Sequence, residues 1–290
     1  MEHHSSHSTQ LLARFYVSHL VLPELRMGST KLRAIKYSRK SISVRTILCY
    51  YIFMFKKDDQ KFRDWIDLPE HDDRLMLIAL IGHNFGLEPE KRIPEIRESR
   101  KNYTNYIADK CGIDKKDIVI DLGSGCGFGT YWLAQRAKHV YACDISPAYI
   151  KFASKECSQL DNVSFHLIKS RQLDFFEKDT IDVICSISVF IHFNLYDIFW
   201  YFNEFKRVLK PGGRVWVDIA DSESLDLGDP NRNGEVFLKH AHDYNGNNSC
   251  LPGLMNWNSV KSVTNIAAHF GFENTYKKTG GELLFTKHGT

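Results

Sequence analysis

The segment of this 290-residue chain best suited to chemistry is Val119-Ile120-Asp121-Leu122-Gly123-Ser124-Gly125-Cys126-Gly127-Phe128-Gly129. An apolar run leads into four glycines at alternating positions, and a turn without Cβ atoms lets backbone approach a ligand closely. The spacing fails the G-x-G-x-x-G dinucleotide pattern from either start, because Phe128 or Thr130 stands where the third glycine belongs. No Gly-Lys-Ser/Thr follows, which excludes a Walker phosphate loop. Asp121, two residues ahead of the first glycine, is awkward for a pyrophosphate and suits a ligand that carries a cation. A second polar concentration is Lys239-His240-Ala241-His242-Asp243-Tyr244. No further ligands are spaced to complete a metal site there, so none is assigned.

The elements that must position these residues follow from the hydrophobic pattern. Short apolar runs at 118–120, 140–143, 163–168, 181–186 and 214–219 predict strands, and 282–286 a final one. Helices are expected between them at 131–137, 147–157 and 198–209, with another at 259–270 ended by Gly271. Lys210-Pro211-Gly212-Gly213 reads as a stop. Such alternation predicts an α/β fold, a doubly wound, mostly parallel sheet with helices on both faces. Upstream, Asp72 or Asp73 reads as the N-cap of one lead-in helix, and Pro94 as the first turn of the next, on which Tyr103, Tyr106 and Ile107 share a face.

These landmarks, in this order, resemble the class I S-adenosylmethionine-dependent methyltransferases from about Tyr103 to Lys287. The resemblance implies a seven-stranded sheet of that type with an N-terminal helical extension. Asp121-Leu-Gly-Ser-Gly-Cys-Gly resembles the family's first motif, so Asp121, Gly123, Ser124, Gly125 and Gly127 are expected to pack on the methionine part of S-adenosyl-L-methionine. Asp144, ahead of Ile145, matches the acid that binds both ribose hydroxyls; one carboxylate can accept from a vicinal diol. Asp182 to Ser186, Val189 to His192, and Leu209-Lys-Pro-Gly-Gly213 resemble the fourth strand, its exit and the approach to the fifth. Where the family often shows Gly-Asp-Ala, this chain reads Ile168-Lys169-Ser170-Arg171, so adenine is assigned to the backbone near Ser170 and Arg171. Ser186 and Tyr106 are further cofactor candidates. The implied reaction is displacement of the sulfonium methyl, in line, by an O, N or C nucleophile. His192 is the candidate base, neutral near pH 7. The long polar stretch 221–256 is the expected substrate lid, with His240, His242, Tyr244 and Trp257 as acceptor-binding candidates.

Charge divides the chain. Residues 1–63 hold 12 Lys and Arg against 4 Asp and Glu (+8), and the remainder holds 26 against 31 (−5). The expected organisation is a basic extension at 1–63 and a methyltransferase domain at 64–290, with lead-in helices at 64–112 and the insert at 221–256. A small-molecule acceptor is the leading reading. Alternatives are an RNA or protein methyltransferase that uses the basic arm, and a non-catalytic S-adenosylmethionine-binding protein. Nucleic acid is not favoured, since Ser186-Ile-Ser-Val189 lacks the Asn-Pro-Pro-Tyr type of motif. Seven cysteines, none in Cys-x-x-Cys spacing, argue for a reducing compartment and against structural zinc. The longest apolar run, Ile47 to Phe55, is far short of the roughly 20 residues of a spanning helix. No signal peptide opens the chain, and the expected location is the cytoplasm.

Overall fold

The computed structural model describes residues 89–227, 234–238, 241, 255–278 and 280–289. The basic arm, the expected helix at Asp72 or Asp73 and most of the 221–256 insert lie outside these described residues. The described elements run α1 (Pro89–Cys111), β1 (Ile118–Leu122), α2 (Phe128–Arg136), β2 (His139–Asp144), α3 (Pro147–Glu156), β3 (Val163–Leu167), β4 (Ile181–Ser186), α4 (Leu195–Val208) and β5 (Leu209–Asp218). Then come β6 (Ala220–Asp221), β7 (Trp257–Asn258), α5 (Val260–His269), β8 (Phe272–Lys278) and β9 (Glu282–Lys287).

Seven strands form one sheet in the order β3-β2-β1-β4-β5-β9-β8. Every pairing is parallel except those of β9, which runs antiparallel to both neighbours. The order reverses between β1 and β4, and ligands of such sheets bind at that switch point, beyond the strands' carboxyl ends. Alternating side chains enter two layers. Ile120, Leu122, Ile184, Val215 and Val217 join an aromatic cluster with Phe190, Phe202, Phe205 and Phe285. Val119, Val140, Val183, Cys185 and Trp216 pack instead with Ile107 of α1 and Leu133 of α2. Each fully buried phenyl contributes about 1.5–3 kcal/mol. On α4, Ile198, Tyr201, Phe202, Phe205 and Val208 form the buried stripe. No helix among the described residues is long and apolar enough to cross a membrane.

Several boundaries differ from those read in the sequence. Helix α1 begins at Pro89, and Pro94 lies inside it. Pro94 is the sixth helical residue, past the first four N–H groups that lack partners, so its ring removes one backbone hydrogen bond from the helix. Helix α2 starts at Phe128, directly behind Gly127. Helix α4 starts at Leu195 because Asn194 accepts from Tyr196 and Asp197 while Asp197 accepts from Asn194, a reciprocal cap. Lys210 to Gly213 does not separate helix from strand: Ile181 pairs with Leu209 and Val183 with Arg214, so these four residues bulge out opposite Asp182. Lys210 Nζ closes that bulge on the Asp182 carboxylate at 2.7 and 2.9 Å. Strand β8 was not anticipated, because its polar residues outnumber its apolar ones.

Candidate functional site

At the switch point β1 runs into the glycine turn. Gly123 and Ser124 donate their amides to the Cys143 carbonyl at 2.7 and 3.0 Å, which ties the turn to the end of β2. Two glycines are required by shape. Gly123 has φ 78°, and a Cβ there would stand 2.2 Å from Val189 Cγ2. Gly127 has φ 84°, and a Cβ there would stand 2.8 Å from the Cα of Ala153 on α3. An L side chain is strained at both angles by about 1–2 kcal/mol, apart from the overlap.

Two carboxylates flank the turn. Asp144, at the tip of β2, accepts the Gly125 amide on Oδ2 and the Ser146 amide on Oδ1, each at 2.9 Å. It therefore holds the turn and the start of α3 together. Ser146 caps α3 by accepting the Tyr149 amide, and Pro147 follows at the first helical position. Asp121 is buried and accepts the Thr130 hydroxyl at 2.6 Å. Burial lifts its pKa to about 6; the Thr130 bond opposes this, nearby Asp144 adds to it and Arg100 of α1 opposes it. Ser124 Oγ is buried with no hydrogen-bond partner, and so is Thr104 Oγ1 on α1. An Ala at Gly129 would put its Cβ 3.6 Å from Thr104 Oγ1 and 3.8 Å from Asp121 Oδ2, so these groups surround one spot behind the turn.

The other sequence candidates fall as follows. Ser186 Oγ donates to the Leu122 carbonyl at 3.0 Å and fastens β4 to β1. Ile145 is partly buried against the aromatic layer. Ser170 is exposed and accepts the Gln172 amide. Arg171 donates to Asp197 at 2.5 Å, which ties the β3 exit to the α4 cap. His192 ends a short 3₁₀ turn after β4 (Phe190–His192); its amide donates to the Val189 carbonyl, and its own carbonyl accepts from Asn256 Nδ2. Trp257 sits on β7 beside Ala220 and packs on Phe237. Tyr106 lies over β5, β8 and β9: its hydroxyl is 2.6 Å from that of Tyr276 and donates to Glu282, and its ring meets Trp216 edge-on. His240, His242 and Tyr244 lie outside the described residues.

Sequence reasoning missed Asp218. Partly buried at the carboxyl end of β5, its two oxygens accept the Ser188 amide at 2.7 and 2.9 Å. A signal was present. Val119-Ile-Asp121, Tyr141-Ala-Cys-Asp144 and Val215-Trp-Val-Asp218 each place an aspartate at or near the end of an apolar strand, so one pattern marks all three. Arg100 and Thr104 carry no such signal, because only the packing of α1 brings them here.

The turn and both flanking carboxylates fall within residues 119–213, which match the family described as a methyltransferase domain. Erythromycin 3''-O-methyltransferase of Saccharopolyspora erythraea is 28% identical over 148 residues, 49% of this chain and 47% of that protein. Demethylmenaquinone methyltransferase of Tropheryma whipplei is 33% identical over 106 residues, 37% of this chain and 43% of that protein. The chain thus spans about half the length of these curated relatives. Geranyl diphosphate C-methyltransferase of Streptomyces coelicolor, solved with S-adenosyl-L-homocysteine, aligns with a TM-score of 0.55 at 16% identity, over 79% of this chain and 96% of that one, a likeness of fold. Residues 119–213 thus match a methyltransferase domain, and the switch-point turn and seven-stranded sheet give the chain the fold of the class I S-adenosylmethionine-dependent methyltransferases.

Proposed function

We propose that this protein transfers the methyl group of S-adenosyl-L-methionine to an O, N or C nucleophile of a small-molecule acceptor. The observation that carries this reading is the Asp144 carboxylate, pinned by two backbone amides at the tip of β2 beside the glycine turn. A carboxylate oxygen can accept more than one hydrogen bond, and the vicinal hydroxyls of a ribose offer two donors to such a group. The other residues fit the same ligand. Ser124 Oγ, in the turn, is a buried polar atom in need of a partner. Asp121 is a carboxylate that burial disfavours and a nearby cationic group would relieve. When bound, the donor supplies an activated methyl on a positively charged sulfur. What the chain must supply is alignment of the acceptor with that methyl, and exclusion of water. His192, on the β4 exit, is the candidate to take a proton from an O–H or N–H acceptor. Erythromycin and demethylmenaquinone, which the names of the relatives give as acceptors, are small molecules and favour that class here.

Calorimetric titration with S-adenosyl-L-homocysteine tests the reading. The wild type should bind, and Asp144→Ala should bind about a hundredfold more weakly, since hydrogen bonds to a charged group contribute about 1.5–3 kcal/mol each. Equal affinity in the two proteins would overturn the assignment. Mass spectrometry of candidate acceptors, read for a gain of about 14 daltons per methyl, then identifies the class.

A further inference from the structure

The mechanism above leaves one partly buried acid without a role. Asp218 accepts the Ser188 amide on both oxygens, and Ser188 has φ 60°. Among the described residues only Ser188 and Asp179 combine a side chain other than glycine's hydrogen with positive φ. Such a conformation costs about 1–2 kcal/mol and persists only where its surroundings impose it. Here the imposing contact is the carboxylate. The next residue is Val189, whose methyl occupies the space a Cβ on Gly123 would take. The left-handed kink at Ser188 therefore sets where Val189 meets the glycine turn. The groups facing Asp218 come from three directions. Arg100 and Tyr103 approach from α1 and Glu282 from β9, with the Ser188 amide arriving from the β4 exit. Arg100 favours the charged carboxylate and Glu282 opposes it. The Tyr103 hydroxyl lies 3.5 Å from Glu282.

We propose that Asp218 is a positioning residue for methyl transfer: by clamping the Ser188 amide, it seats Val189 on the glycine turn that cradles the methyl donor. This rests on the donor-binding reading above. Asp218 touches neither donor nor acceptor in this scheme and acts through Ser188 and Val189. Without the clamp, Ser188 relaxes toward extended backbone, Val189 leaves its seat, and the turn loses the wall that fixes its shape.

The test is Asp218→Asn, which keeps the shape but removes the charge and leaves one neutral acceptor oxygen for the Ser188 amide, a weaker clamp. Binding of S-adenosyl-L-homocysteine should weaken about tenfold. The donor KM should rise by a similar factor while kcat at saturating donor stays within about twofold. Amides of Ser188 to His192 should exchange faster with deuterium. Adding Ser188→Gly, which adopts positive φ without strain, should return affinity to within about threefold of wild type. A merely structural Asp218 would lower stability without that split or that rescue. Should Asp218→Asn fail to fold, Val189→Ala removes the seat directly and must itself weaken donor binding severalfold. Wild-type affinity in Asp218→Asn, no rescue by Ser188→Gly, or an unaffected Val189→Ala each overturns the proposal. A wild-type protein that binds no S-adenosyl-L-homocysteine overturns the donor reading and this proposal together; binding by wild type with an unchanged Asp218→Asn overturns this proposal alone.

Discussion

Gly123→Ala offers the most direct test of how the turn is built. Two costs can be read from the structure. The first is backbone strain: alanine at φ 78° pays about 1–2 kcal/mol that glycine does not. The second is overlap. The new methyl would lie 2.2 Å from Val189 Cγ2 and 3.2 Å from its Cβ and Cγ1, so Val189 must retreat by more than an ångström. Overpacking of this kind costs about 1–3 kcal/mol. Together the variant should lose about 2–5 kcal/mol, a large share of the 5–15 kcal/mol that holds a typical domain folded. Denaturant unfolding gives the total. The decisive measurement is the cycle with Val189→Ala, which deletes the atoms that collide but leaves the strain. The double variant should be about 1–3 kcal/mol more stable than the sum of the singles predicts, with the strain remaining. Strict additivity would refute the account, because the two residues would then not share the space the structure assigns them.

Two further outcomes follow from the site. Asp121 has a folded pKa of about 6, above the ordinary carboxylate value, so the folded protein holds that proton more tightly than the unfolded chain. Its contribution to stability is fully present below about pH 4 and is lost as pH rises through about 6. Relative to Asp121→Asn, the ligand-free wild type should therefore gain thermal stability between pH 7 and pH 5, while its affinity for the cationic donor falls over the same interval. Parallel melting curves and pH-independent binding would sink this. Ser186→Ala deletes the donor to the Leu122 carbonyl and should cost about 1 kcal/mol in unfolding while donor affinity stays within about twofold; a large affinity loss would instead assign the hydroxyl to the ligand.

The segment Val119 to Gly129 was legible in the sequence because residue type alone decides it. Four glycines, an apolar strand and an acid have few other uses together. The parallel core was equally legible, since strands buried on both faces read as continuous apolar runs, as Ile181 to Ser186 does. Strand β8 was not, because Phe272-Glu-Asn-Thr-Tyr-Lys-Lys278 pairs on one side only, and its polar residues mask the strand pattern. The α4 start is readable in principle from Asn194-x-x-Asp197, but the buried apolar stripe begins only at Ile198. Contacts across the fold were beyond reach. The roles of Thr104, Arg100 and Val189 depend on which helix crosses which strand end, and no spacing within the chain encodes that. Tyr106 illustrates the converse. Its helical face was read correctly with Tyr103 and Ile107, yet the direction of that face, toward Tyr276 and Glu282, is set by the distant β8–β9 hairpin.

The placement of β9 has a consequence for biosynthesis. It follows β8 in the chain but lies between β5 and β8, so neither neighbour has its partner until residues 282–287 arrive. While the ribosome makes the intervening residues, the Val215-Trp216-Val217 margin of a nearly complete sheet stays open to any passing strand. Nascent molecules at this stage are the ones most in need of chaperone cover, and any product terminated before Glu282 should accumulate as insoluble aggregate.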